Sequence, residues 1–166
     1  YPEIYAGQLS ANEGLRQELQ RGAAGGLPIY AECGGLMYLA REILDLDGCS
    51  HPMAGVLPFM VRMLPRLKAL GYREVTLTAA GLLGPAGTAA RGHEFHYSEI
   101  VGEPDGVPRF YRLTLRRGGV ALSEGYSEKN VLASYVHLHF GSNPEVARNL
   151  VACCRAYKDS FKEEST

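Results

Sequence analysis

Hydrophobic and polar positions in the first part of the chain switch between helical and strand-like spacing. Ser10–Glu13 has the form of a capping box, and the leucines after it share one helical face, which predicts a helix. A cluster of glycines ends that helix, and the apolar stretch 28–32 predicts a short buried strand. Helical spacing returns over 36–43 and ends at the turn 45–48. The pattern therefore predicts helix, strand and helix in succession.

The middle of the chain, from about 51 to 127, is rich in β-branched and aromatic residues with partial alternation. A small-residue loop, 81–92, separates two of the expected strands. A final helix begins near Pro144 and carries one apolar stripe, made of Val146, Leu150, Val151, Cys154, Tyr157 and Phe161. Strands are expected over 72–78, 93–100, 110–115 and 131–140.

Composition limits the classes of function that the chain can have. Its 166 residues fit one domain, and 46% hydrophobic with 21% charged residues is typical of a globular protein. The 17 basic residues are balanced by 18 acidic ones, which argues against a nucleic-acid partner. The longest apolar stretches fall far short of the roughly 20 residues of a membrane span. Four cysteines without a C-x-x-C motif argue against a disulfide framework or a thiolate zinc site and favour a cytoplasmic location.

Cys33 stands where the expected strand 28–32 meets the next helical stretch, and Gly34 and Gly35 follow it directly. A strand, a sharp small-residue turn and a helix form the pattern of a nucleophile elbow. In such an elbow the helix N-terminus lowers the pKa of the thiol, and the Gly34 amide would be an oxyanion donor. The alternative is that Cys33 is a small buried core residue beside a plain glycine turn.

His137 and His139 lie two residues apart in the stretch 131–140, so their side chains would face the same way on a strand. A thiol nucleophile needs a base to ionise it and an acid to protonate the departing amine, and one imidazole can do both. Either histidine is a candidate. The alternative for each is a hydrogen-bonded strand histidine without a catalytic role.

A third polar segment, 92–98, contains His93, Glu94 and His96. With Cys33 and the late histidine pair it raises the alternative of a zinc site. However, His93 and His96 would point to opposite faces of a strand, and no second cysteine or acidic residue has a standard ligand spacing. We therefore expect no metal site in this domain.

Several segments in order along the chain resemble the amidotransferase domain of cobyrinic acid a,c-diamide synthases. The similarity extends over nearly the whole chain. It implies an α/β fold of the class I glutamine amidotransferase type, with a mainly parallel sheet flanked by helices and Cys33 at the carboxyl edge of a central strand. The segments that carry it are 1–3, 31–39, 51–58, 71–74, 92–98 and 134–140.

Members of this family join an ATP-dependent amidoligase to a class I type glutaminase in one polypeptide of cobalamin biosynthesis. The resemblance implies that this chain is the glutaminase half, with Cys33 as the nucleophile and His137, rather than His139, as its base. Ammonia from glutamine would pass to the amidoligase half, which amidates the a and c acetate side chains of a corrinoid. ATP and Mg²⁺ are expected in that half, and no cofactor is expected here, because the sequence has no G-x-x-x-x-G-K-[ST] loop.

The chain begins at Tyr1 without an initiator Met, where the family has glycines and at least one more strand upstream. We therefore expect residues 1–166 to be one N-terminally truncated amidotransferase domain, with the amidoligase domain upstream. Part of the oxyanion hole and of the sheet would then come from preceding residues, and the isolated chain would be a weak glutaminase.

Two positions depart from ordinary class I glutaminases. His139 stands where a glutamate usually orients the catalytic histidine, and Met37 stands where a glutamine usually helps to hold the substrate. Glu94 is a candidate for the orienting carboxylate. Arg73 and His96, together with Glu94 again, are candidates for binding the amino and carboxylate groups of the substrate.

Other functions remain as alternatives at this point. The chain could serve cobyric acid synthase or another amidating complex such as lipid II isoglutaminyl synthase, although the segment 92–98 favours the diamide synthase. From a different class, it could be a catalytically silent lobe that docks on its ligase. The presence of both Cys33 and His137 argues against that alternative.

Overall fold

The computed structural model describes residues 1–102, 104, 106–115 and 121–163, and it combines helices with two β-sheets. The predicted α/β class is confirmed. The helices are α1 (Pro2–Ala11), α2 (Glu13–Ala24), α3 (Gly34–Leu39) and α4 (Pro144–Glu163), with a 3-10 turn at Phe140–Ser142. The strands are β1 (Ile29–Glu32), β2 (Glu42–Leu44), β3 (Ser50–Pro52), β4 (Met60–Met63), β5 (Ala69–Leu77), β6 (Ala89–His96), β7 (Ser98–Val101), β8 (Arg109–Leu115), β9 (Leu122–Glu128), β10 (Val131–Ser134) and β11 (His137–Leu138).

The first predicted helix exists, but its N-cap is not the predicted one. Asn12 caps α2, because its side-chain oxygen accepts a 3.2 Å hydrogen bond from the Leu15 amide. Ser10 instead lies in the last turn of α1, a helix that the apolar spacing did not predict. Asparagine caps helices as well as serine does, and Pro2 fits the first turn of α1.

The helix predicted over 36–43 is shorter than expected. α3 ends at Leu39, and Ala40 has an extended backbone with φ −62° and ψ 169°. Ile43 is fully buried, but it lies in β2 rather than on a helix. A short helix followed by a strand that enters the core gives nearly the same apolar spacing as one longer helix.

The larger sheet has seven strands in the order β1-β10-β9-β8-β5-β6-β11, and the smaller one has the order β3-β2-β4-β7. The predicted mainly parallel pairing is wrong for the described residues, in which only β1–β10 and β2–β4 are parallel. The other described pairs are antiparallel, both where the strands follow one another in the chain, as in β9–β10, and where other strands intervene, as in β5–β8 and β4–β7. Cys33 consequently follows an end strand of the larger sheet rather than a central one.

The single strand predicted over 131–140 is broken at Tyr135 and Val136. Its first part, β10, pairs with β1, whereas its second part, β11, pairs with β6 at the other end of the sheet. The side chain of Glu32, in β1, nevertheless reaches the backbone of Leu138, in β11. The sheet therefore curls until its two ends meet, and the break in the chain lies at this seam.

Alternating residues of β10 enter different hydrophobic clusters, so the larger sheet separates two cores. Val131 and Ala133 belong to the cluster that includes α3 and the smaller sheet, and Leu132 belongs to the other. Buried side chains therefore pack against both faces of β10, the strand that precedes His137.

The last helix, α4, covers the second cluster. Val146 is buried and Leu150 packs against the same cluster, which confirms the beginning of the predicted apolar stripe. Cys153 packs there in place of the predicted Cys154, which is exposed. Val151 and Phe161, predicted for that stripe, are about half exposed. Within the described residues, no helix is long and apolar enough to cross a membrane.

Candidate active site

Cys33 forms the sharp corner between β1 and α3. Its φ of 47° and ψ of −101° lie in a region that residues with side chains rarely occupy, as expected for a nucleophile elbow. The Cys33 amide donates to the Ser134 carbonyl at 2.7 Å, and the Met37 amide donates to the Cys33 carbonyl at 3.0 Å. A Cβ on Gly34 would lie 2.9 Å from Pro2 Cδ, so glycine there lets α1 pack against the turn.

The Cys33 thiol is half-buried, and its Sγ lies 3.9 Å from the Phe95 carbonyl oxygen. Burial raises the pKa of the Cys33 thiol, and a hydrogen bond from the Gly34 amide acts in the opposite direction but is the smaller effect. The sequence-based expectation of a lowered pKa is therefore wrong for this chain. Unless a neighbouring base takes its proton, Cys33 is therefore a thiol rather than a thiolate at neutral pH.

His137 lies in β11, opposite His93 of β6. The two imidazole rings are stacked, with centroids 5.0 Å apart and an interplanar angle of 16°. His137 Nδ1 is 3.5 Å from Glu32 Oε2. A ring face and one nitrogen of His137 are thus both engaged by neighbouring strands.

Glu32 is a residue that the sequence analysis did not single out. Its Oε1 accepts hydrogen bonds from the Leu138 amide and from the Tyr30 hydroxyl, both at 2.7 Å. Its Oε2 faces His137. The signal that could have identified it is an acidic residue at the end of an otherwise apolar strand, directly before the nucleophile.

A buried hydrogen-bond network holds the bend between β10 and β11. The Ser134 hydroxyl donates to Glu124 Oε2 at 2.5 Å and accepts from the Val136 amide at 2.9 Å. Glu124 Oε1 accepts from the Tyr135 amide at 2.8 Å. Burial raises the pKa of Glu124 to about 7. The network fixes the backbone immediately before His137.

Cys33, Gly34 and His137 line the same cleft, which has a volume of about 880 Å³. Its walls come from the Cys33 turn, α3, β4, β6, β7 and β11, together with α1 and the loops after β2 and β4. Asp45 and Asp47 contribute carboxylates to the loop after β2. The fold therefore brings the predicted nucleophile, the predicted oxyanion donor and the predicted base to one concave site.

Residues 1–145 match the family model described as the CobB/CobQ-like glutamine amidotransferase domain. The chain belongs to this family.

Two curated relatives of this CobB/CobQ-like amidotransferase domain illustrate the similarity. A cobyrinate a,c-diamide synthase of Syntrophotalea carbinolica is 50% identical over 157 residues, which are 93% of this chain and 34% of the relative. A hydrogenobyrinate a,c-diamide synthase of Streptomyces coelicolor is 45% identical over 156 residues, which are 93% of this chain and 30% of the relative. The chain spans about a third of the length of these relatives.

Solved structures support the fold of the amidotransferase domain. A crystal structure of a glutamine amidotransferase matches with a TM-score of 0.60 and 22% identity, covering 89% of this chain and 72% of the other. A protein described as a putative GMP synthase component, from Thermoplasma acidophilum, matches with a TM-score of 0.56 and 15% identity, covering 93% and 71%. The amidotransferase-like fold predicted from the sequence is confirmed.

The two positions that depart from ordinary class I glutaminases have different surroundings in this amidotransferase domain. Met37 is buried in α3, and its sulfur accepts a 3.6 Å hydrogen bond from the Ser98 hydroxyl while it lines the cleft. His139 is exposed and lies beyond β11, where its amide donates to the Arg91 carbonyl. His137 and His139 are therefore not equivalent positions of one strand.

Arg73 and Glu94, two of the candidate substrate-binding residues, are paired with each other. Arg73 Nε and Nη2 lie 2.7 and 2.6 Å from Glu94 Oε2, and both side chains are almost fully buried. Neither residue is among the described residues that line the cleft. The carboxylate that contacts His137 is that of Glu32 rather than the candidate Glu94.

His96, the third candidate, lines the cleft but is buried. Its Nδ1 donates to the Ser98 carbonyl at 2.8 Å, and its ring stacks on Tyr135 with centroids 3.9 Å apart. Burial lowers the pKa of His96, which favours a neutral imidazole. Among the described residues, no group of three or more His, Cys, Asp and Glu side chains could hold a metal ion.

Proposed function

We propose that this chain hydrolyses glutamine as the glutaminase domain of a corrinoid a,c-diamide synthase. The observation that carries the proposal is that Cys33, at a strained elbow, and His137 line one cleft. A half-buried thiol of raised pKa needs a base beside it to become nucleophilic, and an imidazole in the same cleft provides one.

In the first half of the proposed reaction, His137 accepts the proton of the Cys33 thiol. The thiolate then attacks the side-chain amide carbon of glutamine, a carbon–sulfur bond forms, and the amide oxygen becomes an oxyanion. The Gly34 amide, which already donates toward the Cys33 sulfur, stabilises this oxyanion. A backbone donor fixed by the turn requires no reorganisation when the charge develops.

In the second half, the carbon–nitrogen bond breaks while the His137 imidazolium gives its proton to the departing nitrogen, which leaves as ammonia. Water, deprotonated by His137, then attacks the glutamyl thioester. Glutamate is released, and the proton returns to the Cys33 sulfur. Asp47, which lines the cleft, has a carboxylate that suits the positively charged amino group of glutamine, whereas the Asp45 carboxylate is held by His51 and by the amides of Asp47 and Cys49.

The relatives are about three times as long as this chain, which suggests that the chain is one part of a larger enzyme. A chain that spans about a third of proteins named a,c-diamide synthases fits a glutaminase joined to an ATP-dependent amidoligase upstream. Ammonia would pass to that half, where the acetate side chains a and c of a corrinoid are amidated. ATP and Mg²⁺ would be bound there, because this chain has no phosphate-binding loop. A cytoplasmic enzyme without nucleic-acid or membrane partners fits this role.

The test uses the full-length synthase and the variant Cys33→Ser. We expect the variant to lose glutamine-dependent amidation of cobyrinate and to keep ammonia-dependent amidation, because a serine hydroxyl is far less ionised than a thiol near neutral pH. The matched control is Cys154→Ser, which changes an exposed cysteine of α4. The control should keep both activities.

Equal loss of both activities in folded Cys33→Ser would contradict the separation of roles. A chloroketone analogue of glutamine distinguishes a catalytic domain from a silent docking lobe. We expect the analogue to label Cys33 of the wild type, identified by peptide mass spectrometry, and absence of label would favour the docking lobe. Amidation of a different acceptor, with cobyrinate untouched, would instead favour another amidating complex.

A further inference from the structure

We infer that Glu32 is the residue that positions His137, so that the carboxylate of a Cys-His-Glu triad comes from the residue directly before the nucleophile. The inference rests on the proposed glutaminase function and deepens it. Ordinary class I glutaminases place this glutamate two residues after the histidine, and here that position is His139.

The contacts of Glu32 give its two oxygens different tasks. Oε2 lies 3.5 Å from His137 Nδ1. Oε1 accepts hydrogen bonds from the Tyr30 hydroxyl and from the amide of Leu138, the residue that follows His137. The carboxylate is therefore tied to the same backbone that carries the imidazole. A 3.5 Å contact is longer than a short hydrogen bond, and catalytic contacts of this kind shorten when substrate binds.

The topology explains why the residue before the nucleophile can reach the base. Glu32 is opposite Ser134 in the parallel pair β1–β10, and the chain then bends at 135–136 and enters β11. The bend returns His137 and Leu138 to the end of β1, where the two ends of the sheet meet. A glutamate one residue earlier on β1 would point to the opposite side of the strand, and the next position is the nucleophile itself.

The orientation of the ring follows from these contacts. His93 stacks on one face of His137, and Glu32 approaches Nδ1. A carboxylate at Nδ1 favours the tautomer that carries its proton there, and this tautomer leaves Nε2 unprotonated. An unprotonated Nε2 is the form that can accept the Cys33 proton.

The other candidates for this role are engaged elsewhere. The Glu94 carboxylate forms a nearly buried ion pair with Arg73. His139 has no carboxylate and is exposed beyond β11. Among the described residues, Glu32 is the only acidic one for which the structure gives a contact with His137.

The test is Glu32→Gln in the full-length synthase, which keeps an oxygen that can accept from Leu138 and Tyr30 but removes the negative charge. We expect kcat for glutamine hydrolysis to fall by about 10²–10⁴-fold, with KM for glutamine and the thermal midpoint little changed. The matched control is Glu128→Gln, an exposed glutamate of β9, which should change kcat by less than about twofold. A merely structural role would instead lower the thermal midpoint and affect both constants.

A second measurement reads the tautomer of His137 in the wild type. In ¹⁵N-histidine-labelled wild type, the imidazole resonances of His137, assigned by their loss in His137→Asn, should show a protonated Nδ1 and an unprotonated Nε2. The opposite tautomer would overturn the inference, as would unchanged kcat in folded Glu32→Gln. If Cys33→Ser still hydrolysed glutamine, the proposed function itself would fail. Loss in Cys33→Ser with full activity in Glu32→Gln would refute the role of Glu32 alone.

Discussion

The amide of Cys33 donates a 2.7 Å hydrogen bond to the carbonyl of Ser134, across the parallel pair β1–β10. The turn that carries the nucleophile is thereby fixed to the strand that leads, three residues later, to His137. The side chain of the same Ser134 is held by buried Glu124. The relative position of nucleophile and base therefore depends on a rigid backbone unit, and different variants test its parts.

The two late histidines should differ in their effect on catalysis. We expect His137→Asn to lower kcat for glutamine hydrolysis by about 10²–10⁴-fold, because general acid–base catalysis has this magnitude. His139→Asn should change it by less than about threefold, since His139 is exposed beyond β11. Glutamate release measured on both variants checks the assignment, and equal losses would point to a two-histidine site.

The reactivity of Cys33 should depend on pH in a direction that distinguishes it from the exposed cysteines. Because burial raises the pKa of its thiol, alkylation by iodoacetamide in the absence of glutamine should be slow at pH 7 and increase into the alkaline range. Cys49 and Cys154, both exposed, are internal references. Peptide mass spectrometry over a pH series gives the three rates, and faster reaction of Cys33 at neutral pH would contradict the prediction.

Gly92 should be intolerant of any side chain. A Cβ there would lie 2.3 Å from the His137 carbonyl oxygen, so Gly92→Ala must push β11 away from β6. We expect a loss of about 1–3 kcal/mol in the free energy of unfolding, together with a large loss of glutaminase activity. Gly14→Ala is the control, because its Cβ would meet only the Asn12 side chain at 4.0 Å. Urea denaturation should show no loss for the control, and a gain of up to about 1 kcal/mol, because alanine favours a helix over glycine.

Glu124 should make the stability of the protein depend on pH. Its pKa is raised in the folded state to about 7, so folding favours its protonated form. Its contribution to stability is therefore greatest below the ordinary pKa of a glutamate and decreases as pH rises toward about 7. The free energy of unfolding of Glu124→Gln should consequently fall less between pH 5 and pH 8 than that of the wild type. Urea denaturation at both pH values measures this difference, and parallel curves would contradict it.

The local parts of the site could be predicted from sequence because each is encoded in a few adjacent residues. The elbow at Cys33 follows from an apolar strand, a cysteine and two glycines, and the resemblance distinguishes His137 from His139. Glu32 could not be assigned in the same way, because the groups it contacts, His137 and Leu138, are more than 100 positions away. Its role depends on the meeting of β1 and β11 at the two ends of the larger sheet, and the sequence around Glu32 does not predict that contact.

Contacts between distant parts of the chain also explain why the predicted sheet pairing, the predicted pKa of Cys33 and the predicted substrate ligands were wrong. The elbow and the family type predict a mainly parallel sheet. β5 instead pairs antiparallel with β6 and with β8, which lies three strands further along the chain, so tertiary register decides this pairing. The pKa of Cys33 was expected to be lowered by a helix end, whereas burial from distant segments outweighs that effect. Arg73 and Glu94 are plausible ligands by residue type alone, but the nearly buried ion pair between them occupies both side chains.

The parallel pair β1–β10 also has a consequence for the kinetics of folding. Ile29 pairs with Val131, roughly 100 residues away, and the strands β2 to β9 lie between them in the chain. Contacts between such distant segments form slowly, because a long loop must close before the contact stabilises it. The cleft should therefore be among the last parts of the molecule to assemble. Until β10 docks, Cys33 has neither its hydrogen-bond partner nor its base, so nascent chains should acquire structure before they acquire activity.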